Sequence, residues 1–239
     1  MSVFVLIHGG WHTGEHLQPV ARHLQHAGHE AHTPTLLGHR PGDRKDVSLG
    51  EVIDDFVEHI ERASLSDFIL VGHSYAGMVM SGAAGRLGAR VRRLVYWNAF
   101  VPLDGECLND MVPPHYRETF DALTAADGGV MLPFPIWREA FINDADLDLA
   151  RQTYDSLNPH PARTFNDPIS LETPLAELTV GKSYINGTED TALPGSLGWH
   201  PRLSERLGLF RLVQIAGSHE VCFTDPARLA RAIEDAGRD

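Results

Sequence analysis

Apolar residues run without interruption through Ser2-Val-Phe-Val-Leu-Ile7, the pattern of a strand covered on both faces within a parallel sheet. His8-Gly9-Gly10 breaks the run. Leu17, Val20, Leu24 and Ala27 then recur at helical spacing, and Gly28 ends that helix. His29 to Leu36 reads as a second strand with Pro34 near its exit. Ser48-Leu-Gly-Glu51 has capping-box spacing ahead of Val52, Ile53, Phe56, Val57 and Ile60, which predicts a helix with one apolar face. A third strand begins at Phe68 and passes through Gly72-His-Ser-Tyr-Ala-Gly77 into a helix opening with Met78-Val-Met80. Val91 to Trp97 is a fourth. Strands alternating with helices predict an α/β fold with a doubly wound, mostly parallel sheet.

The rhythm stops between about residues 103 and 178, where Pro113-Pro114, Pro133-Phe-Pro135 and Pro159-His-Pro161 punctuate short helical pieces such as Asp146 to Leu157. A structureless loop of that length is unusual in a compact domain. The expectation is therefore a helical cap inserted into one domain, with the core formed by residues 1–102 and 179–239. A separate second domain is disfavoured because the strand pattern resumes at Lys182-Ser-Tyr-Ile-Asn-Gly187 and Leu209 to Ile215. Asp225-Pro226 supplies an N-cap and a first-turn proline for a closing helix with Leu229, Ala230 and Ile233 inward.

Composition narrows the partners. The 239 residues carry a formal charge of −12, which argues against nucleic acid and anionic membrane surfaces and leaves a small-molecule substrate as the expected partner. No apolar run approaches the ~20 residues of a membrane span. The chain opens directly in a strand, with no basic leader or cleavage site, so no signal peptide is expected and a reducing cytoplasm is the default. Cys107 and Cys222 read as unpaired buried thiols. The oligomeric state stays open, with a homodimer among the options.

The chemistry centres on Gly72-His73-Ser74-Tyr75-Ala76. A serine on a sharp strand-to-helix turn stands clear of the strand ends with its hydroxyl exposed, and the residues two before and two after it must be small. Its base and orienting acid should follow in the order Ser, Asp or Glu, His, each at the carboxyl end of a strand. His219 directly follows the last strand and is the candidate base. Asp190, in Gly187-Thr-Glu-Asp-Thr-Ala-Leu-Pro194, is the candidate acid, with Glu189, Asp104 and Glu106 as rivals. Backbone N–H groups of Gly10 and Tyr75 are the expected oxyanion donors. Trp11, Phe100, Phe134, Trp137 and Trp199 are the expected walls of an apolar substrate pocket. His12 and His16 have helical spacing that suggests a metal pair, but no carboxylate or cysteine set completes it in the sequence. The machinery calls for no metal and no cofactor.

His8-Gly-Gly-Trp-His12, Gly72 to Gly77, Tyr96-Trp-Asn-Ala-Phe-Val-Pro102, Tyr184 to Pro194 and Gly217-Ser-His219 together resemble the α/β-hydrolase branch holding plant methylesterases, salicylate-binding esterases and hydroxynitrile lyases. The resemblance spans nearly the whole chain outside the cap. It implies about six strands with a helical cap, Asp190 as the acid of a Ser74-His219-Asp190 triad, and activity on small, often aromatic esters. Hydroxynitrile lyases of that branch carry threonine where Gly9 stands and lysine directly after the base, where this chain has Glu220. A carboxylate there would repel cyanide. The expected activity is therefore that of a carboxylesterase working through an acyl-Ser74 intermediate. Alternatives are a cofactor-free dioxygenase or carbon–carbon bond hydrolase using the His219–Asp190 pair as base, or a binding protein. Glu220 itself reads as a solvated loop residue or, if it lies close to His219, as an extra negative charge that favours the imidazolium.

Overall fold

The structure, a computed structural model, describes residues 1–238. Six parallel strands, β1 (Val3–Ile7), β2 (Glu30–His32), β3 (Phe68–His73), β4 (Val91–Trp97), β7 (Gly181–Gly187) and β8 (Arg211–Ile215), form one sheet in the order β2-β1-β3-β4-β7-β8. The two-residue strands β5 (Gly129–Val130) and β6 (His160–Pro161) pair separately and antiparallel.

Strand alternation sorts side chains onto two faces. Phe4 and Leu6 of β1 join Ile69, Val71 and Val95 beneath α1 (Gln18–His26) and α9 (Pro226–Gly237), while Val5, Ile7, Leu70 and Leu94 pack toward α2 (Leu49–Arg62) and α3 (Ala76–Leu87). Every residue of β3 is buried, as its continuous apolar run requires. The capping box forms as predicted, with Glu51 N donating to Ser48 Oγ at 3.1 Å and Ser48 N donating to Glu51 Oε2 at 2.8 Å.

The second strand is shorter than the sequence pattern predicts and stops at His32. Pro34 brings no N–H for a ladder. Beyond it, Leu36 N donates to the ring nitrogen Nε2 of His8 at 3.0 Å, and Thr35 Oγ1 accepts from Gly14 N at 3.0 Å. Side chains after β1 thus replace strand pairing.

Residues 98–180, between β4 and β7, hold the short helices α4 (Pro114–Leu123), α5 (Phe134–Ile136), α6 (Leu147–Asp155) and α7 (Arg163–Asn166), together with β5 and β6. A one-turn helix, α8 (Val221–Thr224), follows β8. Among the described residues no helix is long and apolar enough to cross a membrane. Cys107 and Cys222 are unpaired and buried.

Candidate active site

The register Gly72↔Tyr96, Trp97↔Ile185 and Gly187↔Ile215 brings the carboxyl ends of β3, β4, β7 and β8 to one edge of the sheet, where the residues that follow them meet. Three of the five described non-glycine residues with left-handed backbone lie on that edge, the others being Ser64 and Asp67 before β3. Ser74 has φ of 53°, Trp11 of 66° and Asn98 of 37°, in the left-handed region that non-glycine residues rarely enter. Ser74 is held there by its own peptide: its carbonyl accepts from Gly77 N at 3.0 Å and Phe100 N at 3.2 Å, and its N–H donates to Trp97 O at 3.3 Å.

The turn leaves no room for larger neighbours. A Cβ on Gly72 would sit 2.5 Å from Met80 Sδ and 3.3 Å from Ala76 O, and one on Gly9 would sit 2.9 Å from His73 Nδ1 and 3.1 Å from Ser74 Cβ. Glycine at position 9 is thus a packing requirement of this site, where the lyases of the resembling branch carry threonine.

His219 and Asp190 meet as the sequence order predicts. The ring donates from Nδ1 to Asp190 Oδ2 at 2.6 Å, with both side chains inaccessible to solvent. Asp190 Oδ2 also accepts from Asn98 Nδ2 at 2.5 Å, and Oδ1 accepts from Ala192 N at 2.8 Å. The rivals lie elsewhere: Asp104 accepts from Leu171 N, Glu106 pairs with Arg206, and Glu189 is exposed. Burial opposes protonation of His219, but the charge and hydrogen bond of Asp190, helped by the charge of Glu220, outweigh it and raise the ring above the ordinary histidine range. Trp199 stacks on the ring at 5.1 Å and 13°, and Phe141 meets it edge-on at 5.2 Å.

Ser74 and His219 open into one cavity, together with Gly10, Trp11, Tyr75, Phe100 and Trp199 from the predicted set. Among the described residues neither the Ser74 hydroxyl nor His219 Nε2 is tied to another protein group, so both are available to a bound molecule. Among the described residues no Lys, Arg, Asp or Glu lines the space.

Two expected wall residues are displaced. Phe134 packs against Tyr154 at 5.2 Å with the Arg151 guanidinium 3.9 Å from its ring, outside the cavity. Trp137 is fully buried behind Phe141, its indole N–H donating to Ala150 O at 3.1 Å. Their places are taken by Leu108, Val112, Tyr116, Phe120, Phe141 and Phe165. Nothing in the sequence separates these from ordinary core residues, because the segment lacks the strand register that fixes direction elsewhere.

Glu220 is also not where the sequence suggests. It is 1% exposed, and Oε2 lies 3.0 Å from His12 Nε2. A carboxylate therefore does reach His12, from 208 positions along the chain. The side chains of His73, His219 and Glu220 bring polar atoms within 4.8 Å of one another.

A strained serine turn, a buried His–Asp pair after later strands and a parallel sheet carrying both define an α/β-hydrolase. The family model described as "Alpha/beta hydrolase family" matches residues 4–232, and the chain belongs to that family. A solved extracellular α/β-hydrolase from a Paenibacillus species, described as sharing structural and functional homology with tobacco salicylic acid binding protein 2, is 35% identical and superposes with a TM-score of 0.96 over 100% of both chains. A carbendazim-hydrolysing esterase of Nocardioides sp. is 44% identical over 118 residues, a stretch covering only 47% of this chain and 48% of that one. A pyrethroid hydrolase of Sphingobium wenxiniae is 26% identical over 97% of this chain and 86% of its own length.

Proposed function

We propose that the protein is a carboxylesterase that cleaves a small, neutral, apolar or aromatic ester through an acyl-Ser74 intermediate. The observation that carries this reading is the meeting of Ser74 and the Asp190-bound His219 in one uncharged, aromatic-lined cavity. Relatives named for hydrolysing carbendazim and pyrethroids support the reaction class.

In this reading His219 takes the Ser74 proton as the hydroxyl attacks the ester carbonyl, then returns it to the departing alcohol. Asp190 holds the ring by Nδ1, which leaves Nε2 for Ser74 and stabilises the imidazolium formed. The N–H groups of Gly10 and Tyr75 receive the developing oxyanion. Water, activated by the same imidazole, releases the acid. The substrate's shape is selected by aromatic contacts, since a charged substrate would lose its hydration with no counter-charge on the walls. Cyanohydrin cleavage is disfavoured by Glu220, which stands where lysine follows the base in lyases of the resembling branch.

Hydrolysis of p-nitrophenyl esters of rising acyl length, compared with Ser74→Ala and His219→Ala, tests the proposal. Turnover that both substitutions abolish supports it. Turnover that survives Ser74→Ala would favour proton abstraction by the His219–Asp190 pair and redirect the search to oxygen uptake with acidic aromatic substrates.

A further inference from the structure

Beside the His219–Asp190 pair lies a second buried pair of the same chemical kind. His12 stands on the loop after β1 and Glu220 directly follows His219; they are 2% and 1% exposed. His12 Nδ1 is 2.5 Å from the Gly10 carbonyl oxygen. A carbonyl only accepts, so Nδ1 carries a hydrogen. The opposite nitrogen, Nε2, lies 3.0 Å from Glu220 Oε2, a contact of ion-pair length without the angle of a hydrogen bond.

The surroundings enclose the pair. Among the described residues Glu220 Oε1 has no hydrogen-bond partner, and Oε2 accepts from the Cys222 thiol at 3.8 Å. Phe223 stacks on the His12 ring at 5.7 Å, and Trp137 covers it at 5.8 Å. His16 and His73 meet the same ring edge-on.

We propose that His12 and Glu220 act as one positioning pair, in which Glu220 supports the positive charge that His219 acquires during turnover and His12 ties that support to the oxyanion loop at Gly10. The pair bridges the loop after β1, which carries Gly10, to the loop after β8, which carries the base. By holding the Gly10 carbonyl, His12 fixes the peptide plane on the far side of that residue from its own N–H. The charged and titratable groups facing His219 are Asp190 from the loop after β7, His73 from the end of β3, and Glu220 from its own loop; Asp144 approaches the loop through Ser218 N at 3.2 Å. His73 donates from Nε2 to the His219 carbonyl at 3.0 Å, and burial holds it neutral, so the charge balance at His219 rests on the two carboxylates.

The turnover part of this inference rests on the esterase reading, and the experiment separates the two. Titration of His219 followed by NMR on histidine-labelled protein needs no substrate. Glu220→Gln, nearly isosteric, is expected to lower the His219 midpoint by about 0.5 to 1 unit, the size of effect a neighbouring charge produces. The acid limb of kcat/KM on a short ester should move down with it, with KM changed less than about twofold. His12→Asn keeps a donor toward Gly10 but removes the group that holds Glu220 in place, so the carboxylate's support of His219 weakens and the midpoint should fall in the same direction. The double variant should move no further than the larger single shift, because the two act as a unit.

An unmoved His219 midpoint in Glu220→Gln overturns the proposal, as does a uniform fall in kcat with the acid limb in place, which is what a packing role alone gives. Should Glu220→Gln fail to fold, the His12→Asn titration decides alone. Failure of the esterase reading would look different: no ester turnover in the unaltered protein, with the NMR midpoint still shifting on substitution.

Discussion

Asn98 and His219 donate to the same carboxylate oxygen, with Asn98 Nδ2 at 2.5 Å and His219 Nδ1 at 2.6 Å from Asp190 Oδ2. Asn98 is itself fixed, because Gly187 N donates to its Oδ1 at 2.8 Å and its backbone N–H donates to Ile185 O at 3.0 Å. The residue after β4 therefore orients an acid that belongs to the turn after β7. Its left-handed backbone, with φ of 37°, is what carries the side chain across.

Asn98→Ala should leave substrate binding nearly intact and lower kcat. A hydrogen bond to a charged group contributes roughly 1.5 to 3 kcal/mol, which corresponds to a fall of about 10- to 150-fold. Steady-state kinetics on a short p-nitrophenyl ester measure it, and a kcat within about twofold of the unaltered protein would remove Asn98 from the orienting role.

Acid should destabilise this protein steeply. Burial pushes His8 down to about 3 and holds His39, His73 and His160 well below the ordinary histidine range. In the unfolded chain these rings take up protons as pH falls through about 6.5, while in the folded chain they do not, so the unfolded state binds more protons and gains. Each such ring removes roughly 1.4 kcal/mol of stability per pH unit below that point until its folded pKa is reached. His219 works in the opposite sense, since its raised pKa adds stability that is fully present below about 6.5 and is lost as pH rises through its folded value. Four rings outweigh one. Urea midpoints at about pH 7.5 and about pH 5 should show a marked loss at the lower value, and equal midpoints would contradict it.

Position relative to the cavity separates the aromatic residues of the insertion. Phe120 lines the cavity and meets Trp11 at 5.6 Å, whereas Phe134 lies on the outside against Tyr154. Phe120→Ala should admit longer or bulkier acyl groups at a stability cost of about 3 to 5 kcal/mol, typical of such truncations in cores. Phe134→Ala should leave the chain-length profile unchanged. A shift of the profile by Phe134→Ala with none from Phe120→Ala would reverse the assignment.

The sequence reveals what strand periodicity and turn chemistry determine. Val3 to Ile7, Phe68 to His73 and Val91 to Trp97 must be buried on both faces, so their carboxyl ends, and with them Ser74, come to one edge, where the turns after Gly187 and Ile215 bring Asp190 and His219. Where no period sets direction, the reading fails. Trp137 and Phe134 are as apolar as Phe120 and Phe141, but the insertion has no sheet register to say which rings turn inward. Trp11 takes a left-handed backbone that nothing in its residue type announces, whereas Asn98 is of a type that enters that region more readily. Glu220 has the composition of a solvated loop residue; only the closeness of the β1 and β8 loops, unrelated by sequence distance, encloses it beside His12.

The proposed reaction depends on acylation of Ser74. Rapid quenching of the protein during turnover of p-nitrophenyl acetate, followed by intact-mass and peptide mass spectrometry, reads this directly. One added acetyl group is expected on the peptide carrying Ser74, present in His219→Ala only after long incubation and absent from Ser74→Ala. Full turnover with no covalent adduct under quenching, or an adduct on another residue, would contradict it.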